Sequence, residues 1–403
     1  MFEITVTPTI ITLLAVIIAA IAYILAGMNR YIASVRRHAV LCNTAEKEDD
    51  GKIEYPSASI IVYAYDDAEN LEKFLPQLLT QDYPARMEVI IVNDGAPAGV
   101  GEVVARLESR FSNLYMTFVP DNSRNLSRRK LALTLGIKAA RFETVVLTCG
   151  NCRVLSDKWL RQLVRPIALG KEISLGYSYQ AVIRNDDKGN ESFRSPLSLW
   201  KSVDTMWNTT EYLSWAIAGR PYRGTCNNLA YRRAVFFRNK GFSKSLSLKY
   251  GDDDIFVNEV STRDNTAVEL SRSSMIAVID DDHDNLFKRD RLKYGFTSRF
   301  LPAGARRLFA SSSFAWWLAV GCATALSIIG WPSVIPLATA TILTLILWIT
   351  TSLTWRRTSR VLRLPFGWGG ILVFPLLMMF HPVQSLYYAV LGRRHRSSNY
   401  TWS

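Results

Sequence analysis

The chain is poor in cysteine, and its cysteines form no recognisable framework. The five are Cys42, Cys149, Cys152, Cys226 and Cys322. Cys149 and Cys152 make one Cys-x-x-Cys pair, but no second pair of cysteines or histidines lies at the spacing of a zinc ribbon or finger. A redox pair of this kind would normally open a helix in a thioredoxin-like unit. We therefore expect neither a zinc module nor a redox site, and a cytosolic domain would keep these thiols reduced.

Charged residues are missing from three long stretches, residues 4–29, 308–355 and 364–392. Each stretch has room for about 20 apolar residues, which is the length that crosses the hydrocarbon core of a bilayer. The middle stretch is long enough for two spans. We therefore predict an N-terminal transmembrane anchor over residues 1–30 and a C-terminal membrane region over residues 301–403.

Basic residues beside the apolar stretches predict their orientation. The first stretch lacks the positive N-terminal region and the clear cleavage site of a signal peptide, and arginines follow it within residues 30–37. We interpret it as an anchor whose C-terminal end faces the cytoplasm. Arginines within residues 356–363 place the end of the next two spans inside as well. The last stretch is interrupted by prolines and glycines and ends at Arg393 and Arg394, which favours an interfacial or re-entrant segment in a multi-pass protein of the inner (cytoplasmic) membrane.

The net charge of +13 is compatible with nucleic-acid binding, but its distribution favours another explanation. Much of the excess lies beside the apolar stretches, where it can face anionic lipid head groups. No nucleic-acid-binding motif is visible in the sequence. We therefore expect a membrane partner and no nucleic-acid partner.

Between the apolar stretches, strand and helix patterns alternate. A polar linker over residues 31–56 precedes short β-branched runs and helical patterns. The predicted strands are 59–63, 88–93, 114–119 and 144–148, and the predicted helices are 68–80, 100–109 and 127–140. Farther along, the pattern predicts a strand over 177–183 and a helix over 197–217. Repeated βα units indicate an open parallel sheet wrapped by helices, an α/β fold.

Open parallel sheets bind ligands in the crevice at the carboxyl ends of their strands. Three loops of this sequence follow predicted strands and carry polar side chains. They are Tyr65-Asp66-Asp67, Asn93-Asp94-Gly95 and Cys149-Gly150-Asn151. These loops are the first candidates for ligand contact.

Five segments of the chain, in the same order, resemble segments of family 2 glycosyltransferases. They are residues 58–71, 81–95, 129–140, 224–232 and 251–256. The resemblance implies a cytosolic GT-A (Rossmann-like) domain over residues 57–300, flanked by the N-terminal and C-terminal transmembrane helices. The arrangement is similar to that of membrane-embedded polysaccharide synthases and lipid-linked glycan transferases.

The resemblance also implies roles for several side chains. Asp94 corresponds to the carboxylate that holds the nucleoside, and Tyr65 and Asp67 lie in a loop that also contacts the donor. Lys130 and Asn228 are further candidates for substrate binding. The alternative for the aspartates is structural, because such residues often cap helices or shape turns.

The acceptor hydroxyl needs a base, and the resemblance places that base within Asp252-Asp253-Asp254. An aspartate can take the hydroxyl proton if it lies within hydrogen-bond reach. We prefer Asp253 as the catalytic residue, with Asp252 as the alternative because the register is ambiguous by one residue. Otherwise the triplet only places favourable negative charge at a helix N-terminus.

The sequence departs from the family where a metal-binding Asp-x-Asp motif is usual. Cys149-Gly150-Asn151 stands there, so only Asn151 keeps an oxygen ligand for Mg²⁺ or Mn²⁺, and a divalent cofactor is doubtful. Three interpretations stay open. Basic residues such as Arg128, Arg129 or Lys130 replace the metal, ligands come from elsewhere, or catalysis has been lost.

A second departure lies in residues 288–294, where a conserved family tryptophan has no counterpart and processive polymerisation is in doubt. The sequence favours a transferase that moves a sugar from a nucleotide-sugar donor to a lipid-linked or growing glycan acceptor, and partner subunits are compatible with this arrangement. The alternative is a catalytically impaired relative that acts as a binding or scaffold subunit.

Overall fold

The computed structural model describes residues 7–48, 51–65, 67–95, 97–120, 127–185, 191–331, 333–364 and 367–394. Within these residues the chain forms two compact units. The membrane unit takes its residues from 1–37, 197–214 and 303–388, and the α/β unit takes its residues from 38–196, 215–302 and 389–403. Residues 197–214 thus belong to the membrane unit, although their sequence lies inside the predicted α/β domain.

The helices are α1 (Pro8–Ile24), α2 (Arg30–Lys47), α3 (Ala68–Leu79), α4 (Pro97–Glu108), α5 (Arg128–Ala139), α6 (Trp159–Ala168), α7 (Leu199–Ile217), α8 (Arg233–Arg238), α9 (Asp254–Val260), α10 (His283–Thr297), α11 (Gly304–Ile329), α12 (Val334–Val361) and α13 (Trp368–Arg394). The strands are β1 (Ala58–Ala64), β2 (Met87–Asn93), β3 (Leu114–Phe118), β4 (Thr144–Cys149), β5 (Cys152–Val154), β6 (Ile173–Leu175), β7 (Ser178–Asn185), β8 (Glu191–Arg194), β9 (Leu229–Arg232), β10 (Thr266–Val268) and β11 (Ile276–Ile279). A π-helical turn over Leu25–Asn29 joins α1 to α2.

The α/β unit is built on a seven-stranded sheet with the order β10-β6-β9-β4-β1-β2-β3. The strands β1 to β4 are parallel to one another, and β9 runs antiparallel to both of its neighbours. The predicted α/β fold with a largely parallel sheet is confirmed. A smaller sheet, β5-β11-β7-β8, begins just after β4.

The central strands are buried on both faces, as parallel sheets covered by helices require. Every residue of β1 except Tyr63 is buried, and β2 is buried from its second residue onward. Helix α5 lies close against these strands because it carries Gly136. A Cβ at that position would stand 2.5 Å from Ile61 and 2.8 Å from Val92. This close approach places α5 against β1 and β2.

The membrane unit contains long apolar helices. By length and composition, four helical segments among the described residues can cross a membrane: Pro8–Lys47, Gly304–Ile329, Val334–Val361 and Gly369–Leu391. The last of these lies in α13, where the sequence favoured an interfacial or re-entrant segment. The helix instead continues through Pro375 and Pro382. Membrane helices tolerate such prolines because neighbouring groups can satisfy the freed backbone carbonyls.

Polar and aromatic side chains join α7 to the apolar helices of this unit. Asp204 on α7 lies 3.1 Å from the Nε2 atom of His381 on α13, and both residues are buried. The His381 ring stacks on Trp207, which also packs against Phe309 and Trp355. The tryptophan-rich helix is therefore held in place by buried contacts.

Candidate active site

The three predicted loops meet at one edge of the large sheet. Tyr63 of β1 stands beside Cys149 of β4, and Ala64 stands beside Asn93 of β2. The hydrogen-bond ladder continues past the ends of the strands. The Gly150 N–H donates to the Tyr63 carbonyl at 2.9 Å, and the Asp94 N–H donates to the Ala64 carbonyl at 2.9 Å. The carboxyl ends of β1, β2 and β4 therefore form a common rim.

Tyr65 and Asp67, two residues predicted to contact the nucleotide-sugar donor, lie in the loop after β1. The side chain of Tyr65 is 61% exposed, and its backbone N–H donates to Asp67 Oδ2 at 3.0 Å. The Asp67 side chain lies against Gly150, where an added Cβ would stand only 2.7 Å from its Cβ atom. Glycine is thus needed at position 150 for the two loops to approach. Asp66 lies outside the described residues.

Asp94 is a buried carboxylate held by two partners. Its Oδ1 atom accepts from Arg128 Nε at 2.7 Å, and its Oδ2 atom accepts from the Tyr63 hydroxyl at 2.8 Å. Burial, together with the hydrogen bond and charge of Asp94, raises the pKa of Tyr63 far above its usual value. The tyrosine hydroxyl therefore remains a donor to the carboxylate at physiological pH.

Arg129 links this rim to the acidic triplet. Its Nε atom donates to Asp252 Oδ2 at 2.8 Å, its Nη2 atom donates to Cys149 Sγ at 3.4 Å, and its guanidinium lies 5.0 Å from the centroid of the Tyr63 ring. Burial opposes ionisation of Asp252, but the charges of Lys293 and Arg129 outweigh it and hold the pKa of this carboxyl below its usual range. Asp252 is therefore ionised at neutral pH.

The other two aspartates of the triplet have different surroundings. Asp253 is buried, and its Oδ2 atom lies 2.5 Å from Lys293 Nζ on α10. Asp254 accepts hydrogen bonds from the Thr297 hydroxyl and, at 2.8 Å, from the Ile255 N–H. Burial and the charge of Asp253 raise the pKa of Asp254. The first two carboxylates thus face cations, whereas the third anchors the start of α9.

The structure gives Lys130 a structural position in place of the substrate contact that the resemblance implied. The side chain is 1% exposed, and its ammonium donates to the carbonyls of Leu248 at 2.9 Å, Tyr250 at 2.8 Å and Ser245. Its three N–H donors are therefore used within the protein, where they tie α5 to the chain just before the acidic triplet.

Asn228 likewise forms its hydrogen bonds in the buried interior of the α/β unit. The residue is fully buried, and its Oδ1 atom accepts from Trp159 Nε1 at 3.1 Å. Its Nδ2 atom donates to the carbonyls of Tyr177 and Ser274, each at 2.8 Å. The side-chain amide therefore positions the neighbouring Trp159, Tyr177 and Ser274.

The position of the usual metal motif does not suit a hard divalent cation. A hydrogen bond from Cys152 and the charge of Arg129 lower the pKa of Cys149 despite its burial, but the ligand is still a soft sulfur. Its thiol also lies 3.3 Å from Asn227 Oδ1. Gly150 supplies no side chain, and Asn151, the predicted metal residue, supplies only a neutral amide. The donor set therefore does not fit Mg²⁺ or Mn²⁺.

Three groups of this site were not singled out from the sequence: Tyr63, Lys293 and Asn227. Tyr63 lies within the predicted strand 59–63, and Lys293 lies within residues 288–294, where the sequence departs from the family. Their partners, Asp94, Asp253 and Cys149, are at least 31 residues away along the chain. The pairings depend on the fold, and no local pattern in the sequence could have shown them.

Comparisons with known proteins point to one family. Residues 59–236 match the family model described as glycosyl transferase family 2. The chain is 25% identical over 114 residues to glycosyltransferase AglE of Haloferax volcanii, a match that covers 28% of this chain and 36% of that protein. The match thus spans about a third of the length of that curated relative.

A solved structure shares the fold over nearly the whole chain. It is the mannosyltransferase PcManGT from Pyrobaculum calidifontis in complex with GDP-Man and Mn²⁺. The TM-score is 0.51 at 16% sequence identity, and the alignment covers 93% of this chain and 99% of the other. At this identity the likeness establishes the fold, a GT-A-like sheet accompanied by long apolar helices.

Proposed function

We propose that this chain, which carries a family 2 glycosyltransferase domain with the GT-A fold, transfers a sugar from a nucleotide-sugar donor to a lipid-linked or growing glycan acceptor. One observation carries the proposal. The consecutive residues Arg128 and Arg129 bind Asp94 and Asp252, and so connect the rim expected to hold the nucleoside with the acidic triplet expected to hold the base.

The donor side of the site comprises Asp94, Tyr65 and Asp67. In this proposal the Asp94 carboxylate and the first loop contact the nucleoside, since both lie at the rim where open α/β sheets bind ligands. The GDP-Man in the similar mannosyltransferase structure makes GDP-sugars the first donor class to test.

The acceptor side comprises Asp253 and Asp252. The acceptor oxygen attacks the anomeric carbon, the bond from that carbon to the diphosphate oxygen breaks, and the hydroxyl proton passes to a carboxylate. A single displacement of this kind inverts the anomeric configuration. Asp253 remains the preferred base and Asp252 the alternative. Lys293 Nζ lies 2.5 Å from Asp253 Oδ2, and this ion pair holds the carboxylate in position.

The apolar helices support an acceptor in or near the membrane. Four candidate spans in the described residues make a multi-pass membrane protein. Arginines lie in the C-terminal parts of the first and third of these segments, after their apolar stretches, which favours a cytosolic α/β unit at an inner membrane. Partner subunits that receive or extend the glycan are compatible with this arrangement.

A second candidate function is a binding or scaffold subunit without turnover. The observation that favours it is the Cys149-Gly150-Asn151 segment, which lacks the carboxylates of the usual metal motif. The ion pairs at Asp252 and Asp253 favour the enzyme, because burying two carboxylates is costly and a protein that only binds does not need them.

The test uses full-length protein in nanodiscs with membrane lipid extract and a panel of UDP- and GDP-sugars, and measures nucleotide release. We expect turnover with at least one donor. Asp253→Asn should lower kcat about 10²- to 10⁴-fold with little change in the KM for donor, because it removes the base and no donor contact. Asp281→Asn, at an exposed carboxylate, is the control.

The outcomes separate the two candidates. Unchanged turnover in both Asp253→Asn and Asp252→Asn would exclude the triplet as the source of the base. Donor binding without turnover under any condition would favour the scaffold function instead.

A further inference from the structure

We propose that Arg128 and Arg129 neutralise the donor diphosphate in place of a divalent cation. The inference rests on the proposed function, because it concerns how the same site holds the leaving group. It makes nucleotide binding by this chain independent of Mg²⁺ and Mn²⁺.

The first support is the poor fit of a metal at the rim. Cys149 Sγ is buried and already accepts from Arg129 Nη2 at 3.4 Å. A side chain at position 150 would collide with Asp67, so no carboxylate can replace the glycine there. Asn151 contributes at most a neutral oxygen, and its carbonyl accepts from the Ile279 N–H at 2.9 Å. Hard cations prefer several charged oxygens, and among these four residues Asp67 alone carries a carboxylate.

A second possible cation site also lacks the charge to attract a metal. The ligand atoms of Cys226, Asp252 and Asp253 lie within 4.8 Å of one another. Both carboxylates already have cationic partners, Arg129 Nε at 2.8 Å and Lys293 Nζ at 2.5 Å. Two internal cations thus balance two carboxylates, and a divalent ion would face their repulsion.

The positive charge at the rim comes from the two arginines themselves. Arg128 and Arg129 stand in the first turn of α5, with 37% and 31% of their side chains exposed. Each guanidinium has five N–H donors, so it can keep its carboxylate and still bind a phosphate oxygen. The remaining N–H donors of the two guanidinium groups can therefore offer charge-assisted hydrogen bonds to the diphosphate, in a geometry suited to phosphate.

The arrangement also explains why the carboxylates are paired. Asp94 Oδ1 lies 2.7 Å from Arg128 Nε, and Asp252 Oδ2 lies 2.8 Å from Arg129 Nε. These bonds hold both guanidinium groups over the rim, with the Tyr63 ring 5.0 Å from that of Arg129. The positive charges are therefore oriented before a donor binds, and little side-chain entropy is lost on binding.

The experiment measures the affinity of full-length protein in nanodiscs for GDP and for UDP by calorimetry, in EDTA and again in Mn²⁺. We expect the Kd of the preferred diphosphate to agree within about threefold between the two conditions. In EDTA, Arg128→Gln and Arg129→Gln should each weaken diphosphate binding about tenfold or more, as loss of a charge-assisted hydrogen bond predicts. The matching monophosphate should be affected less.

Arg106→Gln is the matched control, since Arg106 forms an exposed ion pair with Glu72 away from the rim and should leave the Kd unchanged. Arg129→Lys is a second variant that controls for misfolding. It keeps a positive charge beside Asp252 but loses the planar guanidinium donor. The wild-type comparison between EDTA and Mn²⁺ needs no variant at all.

Two results overturn the inference in distinguishable ways. Diphosphate binding that appears only with Mn²⁺ or Mg²⁺ would refute it and leave the proposed function standing. Absence of GDP and UDP binding in both conditions would refute the proposed function, and the inference with it.

Discussion

Lys130 illustrates how a cationic side chain next to the site can stabilise it without reaching the substrate. Its ammonium donates to three main-chain carbonyls in the loop that precedes the acidic triplet. Burial lowers its pKa to about 8, and the nearby aspartates oppose that shift. The side chain therefore couples the position of α5, with its two arginines, to the position of Asp252 and Asp253.

Lys130→Met tests this role. The substitution keeps the length of the side chain but leaves three carbonyls without their donor, so we expect a loss of about 3 kcal/mol in the free energy of unfolding. Thermal unfolding in detergent measures the change. Lys138→Met, at an exposed position of the same helix, is the control and should have little effect. A stable Lys130→Met protein that has specifically lost donor affinity would restore Lys130 as a substrate contact.

Single residues also show the limit of inference from sequence. Asp94 could be proposed because it follows a predicted strand, and the triplet because it lies in a segment that resembles the family. Their partners could not, since the Arg129–Asp252 pair joins residues 123 positions apart. Asn228 lies in a motif segment as well, yet its amide is used inside the fold. Position in a motif therefore did not distinguish a ligand contact from a structural hydrogen bond.

At the scale of elements, the contact of α5 with the sheet determines where its arginines stand. Gly136 allows this contact, because any Cβ there would overlap Ile61 and Val92. A shift of α5 by a fraction of an ångström would move Arg128 and Arg129 with respect to the strand ends. The helix, rather than any loop, thus fixes the positive charge of the site.

Gly136→Ala should lower the free energy of unfolding by about 1–3 kcal/mol, because the added methyl overpacks the helix against β1 and β2. Donor affinity should fall with it. The matched control is Gly101→Ala in α4, where the nearest atom to the added Cβ is 3.7 Å away. That variant should be neutral or stabilised, since alanine is the better helix former. Equal effects at the two glycines would exclude close packing of α5 as the reason for Gly136.

The elements differ in how well the sequence predicted them. β1, β2 and β4 were predicted because each is a continuous run of buried, largely β-branched residues. The short strands β5, β6 and β10 have three residues each, too few for a periodic signal, and their pairing partners lie far away in the chain. In α13, internal prolines suggested an interruption that the helix does not have.

At the scale of the whole molecule, the chain combines a family 2 glycosyltransferase domain with a membrane unit of long apolar helices. The buried His381–Asp204 pair and the tryptophans around it show that the membrane unit has a defined polar interior of its own. Charge is concentrated beside the apolar helices and in the α/β unit.

The most direct measurement supplies radiolabelled nucleotide sugars to the full-length protein in membranes and follows where the label goes. We expect label from one GDP- or UDP-sugar to be recovered with the membranes, and we expect EDTA not to prevent this transfer. Asp253→Asn should abolish the transfer, whereas Asp281→Asn should not. Label that stays on the nucleotide, or is released only as free sugar, would contradict the proposed function.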